Sequence, residues 1–296
     1  MLSKQKIKFI RSLDQKKFRK KENAFLAEGP KCVDDLLCAG FRPRMVVHTA
    51  SWQSPVGLPA TAEDILVTDE ELRKVSLLQH PQHVLGVFDI PTVSSASLSD
   101  APATELVLAL DSVQDPGNLG TIIRTADWFG IRNIVCTSGT ADAFNPKVVQ
   151  ATMGSIARLN ITYFDTLCDY LSTLPSGIPV YGAVLDGENI YTSTLTPHGV
   201  IIMGNEGNGI SAPVREMLTH RILIPQGRNE VKGQNCQLST VNCQLSTAES
   251  LNVSIATAII LSEFRRPSPA SMVFAPPSVP PFRGGQKPLK GGGVSG

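Results

Sequence analysis

The chain has 296 residues, 42% of them hydrophobic and 18% charged, with 27 Lys+Arg against 26 Asp+Glu and a formal net charge of +1. That mix excludes a wholly disordered chain, and the length suits about two domains better than one core. No apolar run approaches the ~20 residues of a membrane helix, and the Lys-rich start lacks the apolar stretch of a secretory signal, so a cytoplasmic protein with no membrane partner is expected. On net charge alone, nothing points to nucleic acid.

The charge is unevenly spread. Residues 1–21 carry Lys4, Lys6, Lys8, Arg11, Lys16, Lys17, Arg19, Lys20 and Lys21 against Asp14 alone, a net of +8, which leaves −7 for the rest. A dense basic arm is the electrostatic footprint of a phosphate-binding surface, although a solvated basic helix reads the same way. Ile7, Ile10, Leu13 and Phe18 recur at roughly helical spacing, so one apolar face and a cationic remainder are expected of a single helix.

A short strand over Asn23–Glu28 follows, ended by the Gly29-Pro30 turn. Residues 31–39 read as a helix closed by Gly40. Met45–His48 and Val84–Phe88 are β-branched runs, hence strands, with a helix at 69–78 between them. Residues 91–104, rich in Ser and Pro, form the expected linker after a first domain at 1–90.

From 105 to 266 strands and helices alternate. Strands are expected at Leu106–Leu110, Asn133–Thr137, Ile161–Phe164, Pro179–Leu185, Val200–Met203 and Ile222–Ile224. Helices are expected at 118–129, 146–158, 165–174, 212–219 and 249–264. Repeated β-α-β units imply an α/β fold with a mostly parallel sheet, whose ligands sit beyond the carboxyl ends of the strands. Residues 267–296, dense in Pro and Gly, read as a disordered tail.

Three segments after those strands carry candidate chemistry. After Leu110, Asp115-Pro-Gly is a turn and Asn118 can cap the next helix, with Gly120 allowing a close approach and Arg124 six residues beyond the cap. Val200–Met203 runs into Gly204-Asn-Glu-Gly-Asn-Gly, where Glu206 is either a ligand-contacting acid or a turn residue. Neither G-x-G-x-x-G nor G-K-[ST] occurs, so nicotinamide-dinucleotide binding and P-loop chemistry are not expected. Ile224-Pro225 is separated by 226–248 from Glu249-Ser-Leu-Asn-Val-Ser, which opens an apolar helix. Ser246 and Glu249 have capping-box spacing, and Ser250 and Asn252 are functional or capping. The intervening loop repeats Asn-Cys-Gln-Leu-Ser-Thr at 235–240 and 242–247. The six cysteines form no C-x-x-C pair and no metal-ligand spacing, so reduced thiols and no metal are expected.

Together, Asn118-x-Gly120-x-x-x-Arg124, Gly204-Asn-Glu-Gly-x-Gly and Ile224-Pro…Glu249-Ser-Leu-Asn-Val-Ser resemble, in order, the three motifs of the SpoU (TrmH-like) RNA ribose 2′-O-methyltransferases of the SPOUT superfamily. Phe25-Leu-Ala-Glu-Gly-Pro, after a basic helix, resembles that family's L30e-like substrate-binding domain. The resemblance implies a homodimer with a C-terminal trefoil knot that binds S-adenosyl-L-methionine. Its walls would be the loop after Leu185, the Gly204 loop, Ile224, Pro225 and Leu251. It implies catalytic roles for Arg124, Asn118, Glu206, Ser250 and Asn252, with Arg124 of one subunit reaching the cofactor site of the other. Arg124 would act as a phosphate clamp or, less readily for so strong a cation, as a base. Ribosomal RNA is the substrate expected first and transfer RNA second. A non-catalytic RNA-binding or ribosome-assembly protein on the same scaffold is the alternative. The 226–248 segment departs from the family pattern by about 18 extra residues, a length a loop can carry at small entropic cost.

Overall fold

The computed structural model describes residues 2–91, 96–226 and 250–266. The basic arm folds as two helices, not one: α1 (Lys4–Ser12), capped by the Ser3 side chain, and α2 (Lys16–Glu22), ended by Asn23 in the left-handed region at φ 48°. Ile10 and Leu13 are fully buried, whereas Arg19, expected among the exposed cations, is only 2% exposed. Its guanidinium donates to the Leu13 and Asp14 carbonyls, both at 2.7 Å, and so closes the break between the two helices.

The N-terminal layer continues with β1 (Ala24–Glu28), α3 (Pro30–Cys38), β2 (Pro43–His48), β3 (Glu63–Leu66), α4 (Asp69–Val75) and β4 (Val84–Asp89). The sheet order is β1-β4-β2-β3. The β1–β4 and β4–β2 pairs are antiparallel, and β2–β3 is parallel. Strand β3 was not expected. Glu-Asp-Ile-Leu lacks period-2 alternation, and only pairing with β2 makes it a strand. Thr68 and Glu71 form a reciprocal capping box that starts α4.

A short helix α5 (Ala96–Asp100) and a 3₁₀ turn at Ala101–Ala103 lead to β5 (Leu106–Leu110), and Leu98 is buried. Then follow α6 (Pro116–Trp128), β6 (Asn133–Thr137), α7 (Pro146–Thr152), β7 (Asn160–Phe164), α8 (Leu167–Leu171), β8 (Val180–Asn189), β9 (Gly199–Met203), α9 (Ala212–Glu216), β10 (His220–Leu223) and α10 (Val253–Phe264). These six strands are ordered β10-β8-β9-β5-β6-β7, and every adjacent pair is parallel. Along β5, Leu106, Leu108 and Leu110 enter one apolar cluster, and Val107 and Ala109 the other. Both sheet faces are therefore covered, as a parallel sheet requires.

The largest departures from the expected helix boundaries are at α7 and α10. The helix expected at 146–158 stops at Thr152, because Met153 and Gly154 take φ 51° and 90°, and a 3₁₀ turn follows at Ser155–Arg158. The final helix begins at Val253 instead of 249. Ser246, Glu249, the repeat and the tail lie outside the described residues. No described helix is long and apolar enough to cross a membrane.

The two layers share one apolar cluster, which joins Phe25, Val33 and Phe88 to Leu108, Ile134 and Val149. Residues up to Arg265 form one compact unit. Polar clamps reinforce the contact. The Arg19 guanidinium donates to Asp142 at 2.6 and 2.9 Å, and Arg158 bridges Asp35 of α3 and Asp127 of α6 at 2.9 and 2.7 Å. Desolvation works against ionised Asp35 and Asp127, but the hydrogen bonds from Arg158, with Lys31 at Asp35, outweigh it and hold both carboxyls below the usual range. A lowered folded pKa contributes stability that is complete above the unfolded value of about 3.9 and is lost as the pH falls through the folded one. Thermal melts should therefore show wild type ahead of Arg158→Gln at pH 6, with the gap closing as the pH drops below about 4.

Candidate active site

Because all six strands of the larger sheet are parallel, the segments after β5, β6, β9 and β10 collect at one end of it. Asp111, the first residue after β5, is 5% exposed. Its N–H donates to the Met203 carbonyl, and its carboxylate accepts the Ser211 N–H, both at 2.8 Å. Asn205 reaches back the other way, donating to the Ser112 carbonyl at 2.8 Å while accepting the Gly207 and Asn208 N–H groups. Ser112 itself sits at φ 61°, a sparse conformation for a residue with a side chain. Its N–H is held by Thr137 Oγ1 at 2.8 Å.

The Gly loop closes on itself through paired Asn205–Gly209 backbone bonds of 2.9 Å each. A Cβ on Gly204 would lie 2.2 Å from the Gly209 carbonyl carbon and 2.4 Å from the Ile210 nitrogen. Backbone cannot swing away as a side-chain tip can. Gly204→Ala is expected to force the loop open and cost about 1–3 kcal/mol of stability, as read by thermal melt.

Helix α6 starts two residues earlier than expected. Asp115 is the cap, accepting the Asn118 N–H at 2.7 Å, with Pro116 at the first helical position. Asn118, expected to be the cap, is thereby released. Its Nδ2 donates to Glu206 Oε1 at 2.9 Å, and its Oδ1 accepts from Asn252 Nδ2 at 2.9 Å. Asn252 is the cap of α10, where its Oδ1 accepts the Ser254 N–H at 2.9 Å and the Ser254 hydroxyl at 2.6 Å. That cap fixes the direction of the whole chain of bonds. With Oδ1 committed to the helix, Asn252 has only its NH₂ to offer. Asn118 must answer with its oxygen, and its own NH₂ then faces the Glu206 carboxylate.

The other expected residues divide into two groups. Leu185 and Leu251 are 77% and 49% exposed, large apolar side chains left in solvent. Ile224 and Pro225, after β10, are half-buried. Leu185 lies in a bulge of β8, because the β10 partner jumps from Gly182 to Glu188. Asp186 in that bulge is ion-paired to Arg215 at 2.9 Å and Arg221 at 3.2 Å. Ser250 is exposed, two residues before Asn252.

Arg124 is not brought to this cluster. Six residues along α6 from Asn118 place it about 240° around the helix and about 9 Å along it. It is exposed and has no hydrogen-bond or ion-pair partner among the described residues. It lines an open groove of ≈ 710 Å³ with Thr121, Thr125, Trp128, Met153 and Ala258. Trp128 is 84% exposed there, and Met153 45%. Gly120 proves to serve helix packing: a Cβ there would lie 2.5 Å from the Ala151 Cβ, so its close approach is to α7.

Asp111 and Asn205 were not singled out from the sequence, and Asp115 only as the start of a turn. Asp111 had a local signal, an acid directly after an unbroken apolar strand. Asp115 had one too, as a capping residue before Pro. Asn205 had none, because its partner Ser112 lies 93 residues away.

Residues 105–241 match the SpoU rRNA methylase family, and residues 4–86 match the MRM3-like substrate binding domain. The chain is 31% identical over 263 residues to the 23S rRNA guanosine 2′-O-methyltransferase RlmP of Bacillus subtilis, covering 88% of this chain and 96% of that protein. Among solved structures, a TrmH-family protein from Porphyromonas gingivalis has a TM-score of 0.77 at 42% identity, covering 90% of this chain and 99% of that one. The AdoMet-bound rRNA methyltransferase of Sinorhizobium meliloti has a TM-score of 0.73 at 29% identity, covering 90% and 96%. With three separated motifs joined by hydrogen bonds at one end of the sheet, and matches that run nearly the full length of the relatives just named, the chain belongs to the SpoU rRNA methylase family.

Proposed function

We propose that this protein transfers the methyl group of S-adenosyl-L-methionine to a ribose 2′-hydroxyl of ribosomal RNA. The observation that carries the reading is the Asn252–Asn118–Glu206 chain of hydrogen bonds, which unites all three motifs beyond the carboxyl ends of the parallel strands. The names of the relatives support ribosomal RNA as the substrate, and we place the activity in the cytoplasm with the ribosome.

The residues present fit the cofactor. Exposed Leu185 and Leu251 and half-buried Ile224 and Pro225 offer apolar cover for an adenosine, and Gly204 keeps the neighbouring loop tight. When bound, the cofactor supplies an activated sulfonium methyl. The return of the chain from the sheet edge at β10 to α10, whose cap bonds α6 beside β5, supports the trefoil-knotted topology.

A ribose hydroxyl is a poor nucleophile, so positioning should dominate the rate. Asn118, oriented from both sides, presents a fixed amide at the reacting end. Glu206 holds the Gly loop to α6, and its remaining lone pairs are free to accept from ribose or cofactor. Ser250, exposed beside Leu251, can add a hydroxyl contact. Arg124 faces away from its own Asn118 cluster and has no hydrogen-bond or ion-pair partner among the described residues. This supports a homodimer in which Arg124 of the partner subunit completes the site. Exposed Trp128 on α6 and Ile255 on α10, 84% and 51% exposed, supply apolar surface for that contact. A permanent guanidinium charge suits clamping a phosphate beside the target ribose.

The test incubates the protein and methyl-tritiated cofactor separately with unmodified ribosomal RNA and with transfer RNA, then digests to nucleosides. Label in 2′-O-methylnucleosides from ribosomal RNA is expected. Label from transfer RNA alone would change the substrate, and RNA binding without label in either would establish the non-catalytic reading.

A further inference from the structure

Resting on the reading above, we propose that α2 is the surface on which the RNA backbone lies beside the active end, and that Arg19 positions this surface without itself touching RNA. Helix geometry sorts α2 into two faces. At about 100° per residue, Lys16, Lys17, Lys20 and Lys21 fall within about 140°, with Phe18, Arg19 and Glu22 opposite. Burial agrees: the four lysines are exposed, Phe18 and Glu22 half-buried, and Arg19 buried. Glu22 lies 3.9 Å from Lys21 at the end of this row.

The row is tethered to the catalytic layer. Arg19 Nε and Nη2 donate to Asp142 Oδ2, and Nη1 holds the Leu13 and Asp14 carbonyls. Asp142 belongs to the loop after β6, at the same end of the sheet as the candidate site. That loop is stitched to the segment leading into α6: the Ala141 N–H donates to the Val113 carbonyl at 2.8 Å, and Thr140 Oγ1 to the Leu110 carbonyl at 3.2 Å. Ser112, between those two acceptors, takes the Asn205 amide of the Gly loop. A continuous set of bonds thus runs from the lysine helix to the motif loops.

Helix α1 is placed differently. Lys6 is ion-paired to Glu63, Arg11 donates to the Lys74 and Ser76 carbonyls, and the neighbouring α4 opens with Asp69, Glu70 and Glu71. That leaves Lys4 and Lys8 as the exposed cations of α1 without an ion pair among the described residues, two against the four lysines of α2. Lys16, Lys17 and Lys20 have no ion pair among the described residues and Lys21 has a 3.9 Å contact to Glu22, and on a helix fixed to the catalytic layer these lysines suit the regular negative charge of an RNA strand.

The experiment uses the full chain, a ribosomal RNA fragment that the wild type binds, and two readouts, RNA affinity across a salt series and steady-state methylation. The quadruple variant Lys16→Ala, Lys17→Ala, Lys20→Ala, Lys21→Ala is expected to raise KM for RNA at least tenfold with kcat and cofactor affinity unchanged. The slope of log affinity against log salt should flatten by about 3, as loss of four phosphate contacts requires. Asp142→Asn, checked for folding by thermal melt, should raise KM while keeping the wild-type salt slope, since it removes a tether and no phosphate contact. An unchanged affinity in the quadruple variant overturns the proposal. So does an equal effect from removing the exposed Arg73 and Lys74 of α4, or a flattened slope in Asp142→Asn, which would make Arg19 a direct contact. RNA affinity is read with or without turnover, so absent methylation overturns the enzymatic reading alone.

Discussion

Arg124→Ala is expected to lower methyl transfer by roughly 10²–10³-fold, the range for removing one preorganised electrostatic contact to a reacting group. The cofactor dissociation constant should stay near the wild-type value, because the proposed contact of Arg124 is to an RNA phosphate and the proposed cofactor cover of Leu185, Ile224, Pro225 and Leu251 is untouched. Its own fold should not suffer either. The side chain is exposed and has no polar partner among the described residues, so its removal strands no buried group. Arg124→Lys separates the two possible roles. A phosphate clamp keeps part of its effect with an ammonium, whereas specific bidentate geometry or base action is lost with the guanidinium. Single-turnover methylation beside titration calorimetry reads both quantities. A wild-type rate in Arg124→Ala would remove Arg124 from the mechanism.

Arg19→Ala is expected to cost about 3 kcal/mol of stability, the lower end for breaking one side of a buried ion pair. Asp142 is 17% exposed and can recover some water, which sets the low end. The Leu13 and Asp14 carbonyls lose their donors at the same time. For a unit of this size the loss corresponds to roughly 6–12 °C in melting temperature. Lys6→Ala, removing a surface pair whose side chains are 38% and 51% exposed, should shift the melt by far less. Differential scanning calorimetry of the two variants against wild type checks both. A melt within 2 °C of wild type for Arg19→Ala would show that the pair contributes no net stability.

The contrast between those two residues shows why one charge count covered two functions. Lys6 and Arg19 are indistinguishable in the sequence as members of a basic arm. What separates them is the break at Leu13–Gln15, which turns Arg19 inward, and the presence across the chain of Asp142, 123 residues away. Neither follows from helical periodicity, which had extended one helix through the break.

The alternation of strands and helices, the three polar segments after the strands and the candidate residues within them were legible in the sequence alone. Each depends on local properties: apolar periodicity, β-branched runs, Gly and Pro at turns, and residues placed just beyond a strand. Tertiary structure decided the rest. It set the order β10-β8-β9-β5-β6-β7 and made a strand of Glu63–Leu66. It joined Asn118 to Glu206 across 88 residues and to Asn252 across 134. The physical reason is that a hydrogen-bond partner is chosen by which loops converge at one end of a sheet, and that convergence depends on non-local strand pairing. The cap that frees Asn118 is local, Asp115 three residues before it, but the commitment of its amide to the site came from partners that only the folded chain brings near, Glu206 and Asn252.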